Sequence, residues 1–103
     1  MTLEEFETRL ASAGYPVAYD HFPEDEPQQL PFICYLFRYS DNFYADGAVY
    51  VMVSRIRVEL YTETKDLAAE QQVEAALSVF CWQKEETYLS DEQCYEIIYE
   101  IEV

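Results

Sequence analysis

Glycine is nearly missing from this chain: Gly14 and Gly47 are the whole supply in 103 residues. A loop that cradles phosphate through its backbone needs several glycines in close succession, so nucleotide-binding motifs of that kind are excluded. Histidine is scarcer still. His21 stands alone, and no spacing supplies it with a nucleophile and a third orienting group. Cys34, Cys81 and Cys94 make an odd count at separations of 47 and 13 residues, with no CxxC and no Cys/His pairing. Neither a zinc site nor a disulfide framework follows from that pattern. Cations are few, 6 Lys+Arg against 21 Asp+Glu, for a formal charge of −15. Six scattered cations cannot form the basic patch that nucleic-acid phosphates or an anionic membrane surface would require. Long apolar runs are absent too: no window approaches the ~18–20 uncharged residues of a membrane span. The opening MTLEEFETRL is acidic, unlike a secretory signal. A reducing, cytoplasmic setting with free thiols is therefore expected.

What the chain does have is apolar and aromatic bulk. Half of it is hydrophobic and 17% aromatic, with ten Tyr, six Phe and one Trp. Disordered acidic chains lack such residues, so a folded chain is expected, and the length suits a single domain over residues 1–103.

Residues 2–13 read as a helix. Thr2 and Glu5 have capping-box spacing, Leu3, Phe6 and Leu10 form one stripe, and Gly14 and Pro16 follow as stop signals. The segment 15–22 reads as a short strand that Pro16 pushes towards an edge or an extended loop. Residues 23–31 hold three of the four prolines and read as a loop. Residues 32–39 (FICYLFRY) form a β-prone run with too few polar positions for a surface strand, which predicts a central one. After the turn-forming stretch 40–48, with Asp46-Gly47 as its hairpin signal, 49–62 return as a long strand. Ile56, Val58 and Leu60 lie on one face of it, with Arg55, Arg57, Glu59 and Tyr61 on the other. Thr64 then caps a helix over 65–80 with the stripe Ala69, Val73, Ala76, Leu77 and Phe80, leaving Glu70 and Glu74 to water. A weaker strand over 82–89, a turn at 90–92 and a clear strand over 93–103 complete the chain. The order α-(β)-β-β-α-β-β predicts an α+β fold: an antiparallel sheet of about four strands with two helices on one face.

No constellation carries catalytic chemistry. Carboxylates are so numerous that some pair falls near any required distance. The stretch 41–47 looks briefly like a calcium loop, but an EF-hand needs Glu six residues after the glycine, and that position is Val53. The expectation is therefore no enzyme, no cofactor and no metal. The polar strand faces say more. Arg55 and Arg57 should meet Glu96, Glu100 and Glu102 across neighbouring strands, in pairs worth roughly 0.2–1 kcal/mol each. Tyr50, Tyr61 and Ile98 are large for a merely wetted surface, and Phe43 and Tyr44 sit at the tip of a long hairpin. With Arg55 and Arg57 these residues form the candidate protein interface, in keeping with the Arg and aromatic enrichment of interfaces.

At the central hairpin the sequence becomes familiar. Leu30-Pro31-Phe32-Ile33-Cys34-Tyr35, Ser40-Asp41-Asn42-Phe43-Tyr44-Ala45-Asp46, Val49-Tyr50, Val58-Glu59-Leu60-Tyr61-Thr62-Glu63-Thr64-Lys65-Asp66 and the closing Tyr95-Glu96-Ile97-Ile98-Tyr99-Glu100-Ile101 together resemble a family of small prophage proteins of Gram-positive bacteria. These are encoded among the head–tail joining genes of long-tailed phages. They are similar in size and element order to tail-completion or tail-terminator proteins. The resemblance implies a structural protein of virion assembly that forms a homo-oligomeric ring, a hexamer, which caps the tail tube and docks to the head connector. It implies a location in the host cytoplasm during assembly and then at the head–tail junction of the virion.

A second reading uses the charge directly: a small acidic protein can imitate DNA and occupy the basic groove of a host DNA-binding protein. The acids here are spread evenly, 11 in residues 1–64 and 10 in 65–103. An even spread suits a subunit held apart from its copies by repulsion better than a phosphate-like stripe.

Overall fold

The computed structural model describes residues 2–26, 28–40, 42–45, 47–51 and 54–103; at 43–45 and 48–51 the description extends to strand pairing but not to side chains. Thr2 opens the first helix, α1 (Leu3–Ala11), where its hydroxyl accepts the Glu5 N–H at 3.1 Å. Phe6 and Leu10 are buried, but Leu3, expected in the same stripe, is 49% exposed. Gly14 follows at φ +95°, a backbone state that glycine reaches without a Cβ clash, and the chain turns there into β1 (Val17–Tyr19).

The remaining elements are β2 (Phe32–Ser40), β3 (Phe43–Ala45), β4 (Ala48–Val51), β5 (Ser54–Thr62), α2 (Leu67–Ala76), β6 (Trp82–Leu89) and β7 (Cys94–Glu102). The main sheet has five strands in the order β1-β2-β5-β7-β6, and β3 and β4 make a separate two-stranded sheet. The α+β class with two helices is as expected, but the sheet is mixed and larger. β1 pairs with β2 in parallel, Val17 opposite Ile33 and Tyr19 opposite Tyr35. Pro16 cannot donate, yet its carbonyl accepts the Ile33 N–H at 2.8 Å, and the loop after β1 carries the chain back so that β2 runs alongside in the same direction. β2 is therefore one place in from the edge, and β5 is the middle strand.

The long strand expected over 49–62 is two strands. β4 ends at Val51 and β5 begins at Ser54, and they belong to different sheets. The hairpin signal at Asp46 and the apparent calcium loop fall partly outside the described residues. The second helix is shorter than the expected 65–80 and starts later, because Asp66 rather than Thr64 takes the cap, its carboxylate accepting the Ala69 N–H at 3.0 Å.

Both helices cover one face of the main sheet. Phe6, Leu10, Ala69, Val73 and Leu77 pack on Ile33, Tyr35, Ile56, Val58, Leu60, Ile97, Tyr99 and Ile101. The alternating strand positions place Cys34, Arg57, Glu59, Tyr61, Glu96 and Ile98 on the opposite face, which neither of the two described helices covers. Glu70, expected in water, is 2% exposed and lies against Lys65 and Lys84.

Candidate functional site: the carboxyl pair and aromatic cavity on the helix-free face

The strand register assembles this face. Glu59 on β5 lies between Cys34 on β2 and Ile98 on β7, and one step along, Tyr61 lies between Phe32 and Glu96. Glu59 and Glu96 are thus diagonal neighbours, only 8% and 7% exposed. Arg57 Nε approaches Glu59 Oε2 at 3.1 Å, and Arg57 Nη2 stands 3.9 Å from Glu96 Oε2. Tyr61 Oη donates to Glu96 Oε2 at 2.9 Å.

Two carboxyls in so little water cannot both ionise cheaply. Burial, then hydrogen bonding to Glu96 and the charge of Glu96, push the Glu59 carboxyl up to about 7 against the opposing pull of Arg57 and Tyr61. The Glu59 carboxyl therefore keeps much of its proton near neutrality. Burial and the neighbouring carboxylates likewise drive the Tyr61 hydroxyl far above its ordinary range, keeping it a donor. Cys34 lies on the same floor. Burial, followed by the charges of Glu59, Asp20 and Glu96, raises its thiol to about 11, which suppresses the nucleophilic thiolate.

The loop after β1 folds over the β2 end of this face. Phe22 meets Phe32 edge-on at 5.3 Å between ring centres, and Phe32 meets Tyr61 at 4.9 Å. Between loop and sheet lies a cavity of about 350 Å³ with Phe22, Phe32, Cys34 and Tyr61 on its walls and Asp20, His21 and Glu24 at its mouth. His21 is exposed and its Nδ1 lies 3.1 Å from Asp20 Oδ2. Among the described residues no three His, Cys, Asp or Glu side chains converge as a metal site would need.

The interface candidates divide in three. Arg57, Tyr61 and Ile98 come together around the carboxyl pair. Arg55 pairs with Glu102 at 2.6 Å, at the opposite end of β5. Phe43 and Tyr44 lie on β3 and Tyr50 on β4, with side chains outside the described residues. The expected meeting of Arg55 and Arg57 with the β7 acids holds for Glu102 and Glu96, while Glu100 is taken by Arg38 at 2.8 Å. Reasoning from spacing missed the cavity, because its loop wall approaches through the parallel β1–β2 crossover. The available signal was two acids on the polar sides of otherwise apolar strands.

No protein-family model matches the chain, and no curated protein matches it either. No helix among the described residues is long and apolar enough to cross a membrane.

Proposed function

We propose that the chain is a structural subunit of phage virion assembly, a tail-completion, terminator-like protein that closes into a ring at the head–tail junction. The observation that carries this reading is the arm. β2 and β5 do not join in a tight hairpin; the chain between them carries the β3–β4 ribbon, which among the described residues pairs with no strand of the main sheet. The molecule measures 49 × 29 × 26 Å, nearly twice as long as it is wide. A ring subunit needs surfaces that meet head to tail and a segment that reaches a neighbouring ring. The helix-free face and the arm are suited to those two tasks. The partners under this reading are further copies of the chain, the tail tube and the head connector. The protein would act in the host cytoplasm and remain in the virion.

Imitation of DNA is less well supported by the arrangement of charge. Seven acids, Glu59, Glu70, Glu74, Glu86, Glu96, Glu100 and Glu102, are engaged by the chain's own Arg and Lys side chains. Those acids are not available as an ordered phosphate-like stripe.

The test is complementation of a phage lacking the gene. Phe43→Ser with Tyr44→Ser in the arm should leave full heads and finished tails unjoined, with the purified variant still folded. Normal joining by that variant would remove the arm from the mechanism. Light scattering that finds a strict monomer, both alone and on purified tails, would remove the ring.

A further inference from the structure

We propose that the aromatic cavity beneath the loop after β1 receives an arginine side chain from a partner protein other than a second copy of this chain. Three rings, Phe22, Phe32 and Tyr61, wall the cavity, within ring-to-ring distances of 5.3 and 4.9 Å of one another. Aromatic faces attract cations, and a flat guanidinium can stack on a ring while its N–H fork reaches a carboxylate. Two carboxylates, Asp20 and Glu24, stand among the lining residues at the mouth, where such a fork could reach them. The Cys34 thiol on the same lining is pushed up by burial first and by the negative charge of Glu59, Asp20 and Glu96 second, in keeping with an electronegative site. A metal ion is a poor match, because no three ligating side chains converge among the described residues.

The occupant's origin follows from the charge inventory. The chain has six cations, and each is engaged at home. Arg38, Arg55, Arg57, Lys65 and Lys84 are ion-paired, and Arg9 lies 5.8 Å over the Phe80 ring. A second copy would have to break one of these contacts to fill the cavity, and both copies carry a charge of −15. A basic partner has neither cost, and electrostatic steering would speed its approach. This inference does not depend on the assembly role proposed above.

The experiment is an NMR titration of the full ¹⁵N-labelled chain with Nα-acetyl-arginine methylamide, run beside the neutral citrulline analogue. Arginine should produce saturable shifts at the amides of His21, Phe22, Glu24 and Phe32, with citrulline weaker by about fivefold or more. The variant Asp20→Asn with Glu24→Gln keeps the shape of the mouth: Glu24 is exposed, and Asn tolerates the left-handed backbone at position 20, φ +67°. It should weaken arginine by about threefold or more and leave citrulline unchanged. Equal binding of the two ligands, shifts scattered over outlying acids such as Glu4 and Asp91, or undiminished arginine binding by the variant would each overturn the proposal. Concentration-dependent shifts of the same amides in the chain alone would place a second copy there and overturn it as well.

Discussion

Tyr99 Oη donates a 2.8 Å hydrogen bond to Glu74 Oε2, tying the inner strand β7 to helix α2 through an otherwise apolar core. The same carboxylate oxygen accepts from Lys84 Nζ on the edge strand β6, also at 2.8 Å. One acid thereby joins three elements. Tyr99→Phe should cost about 1–2 kcal/mol in urea unfolding. Glu74→Ala should cost more, because it leaves the fully buried Tyr99 hydroxyl without its acceptor. Glu74→Gln, which keeps an acceptor, should recover part of the loss. Equal stability of all three variants and the parent would show that the bond contributes nothing net.

Glu70 governs the acid limb of stability. Burial raises its carboxyl, but hydrogen bonds and charges from Lys65 and Lys84 outweigh burial and hold it below its ordinary 4.5. A depressed carboxyl contributes stability that is present above the unfolded value and is lost as pH falls through the folded one. Glu70→Gln should therefore flatten the unfolding free energy below pH 4.5, and at pH 7 it should cost about 1–3 kcal/mol. An unchanged acid limb in the variant would contradict this assignment.

Glu59 acts with the opposite sign. Its carboxyl is raised from 4.5 to about 7, so the folded state holds the extra proton across that interval and stability falls as pH rises through it. Glu59→Gln should remove that descent and make the fold more stable than the parent at pH 8 by about 1–3 kcal/mol. Together, Glu59 and Glu70 place maximum stability on the acid side of neutrality. Denaturation series at pH 4, 5, 6, 7 and 8 on parent and variants would show whether the maximum lies there.

The thiols should separate kinetically. Cys81 is exposed, whereas Cys34 and Cys94 are buried with thiols raised by burial first and by neighbouring acids second. Alkylation of the native protein at pH 8 should modify one thiol quickly, and peptide mapping should find it at Cys81. Fast labelling of Cys34 would mean that the loop over the cavity opens readily.

Most of the main sheet was legible because its strands alternate cleanly. Ile56, Val58 and Leu60 face the helices as the period of two requires, and the β7 pattern places Ile97, Tyr99 and Ile101 beside them. The Arg55–Glu102 pair followed from the same alternation. Glu70 was misread because a charged residue on a helix surface looks solvated in one dimension; its burial depends on lysines contributed by residues 65 and 84, which only the fold brings near. The parallel β1 was underestimated for a related reason. Three residues beside a proline carry little periodic signal, and their pairing rests on a return crossover that no local rule describes. The cavity depends on that crossover, so it was invisible too.

The position of β7 has a consequence for biosynthesis. It lies between β5 and β6, although both precede it in the chain. While only residues 1–93 are outside the ribosome, the chain holds two strands with a gap between them and a core lacking Ile97, Tyr99 and Ile101. Closure must wait until 94–102 leave the exit tunnel, and in that interval the facing edges of β5 and β6 are open to other chains. Loss of residues 94–102 would thus leave a sticky chain with a gap in its sheet.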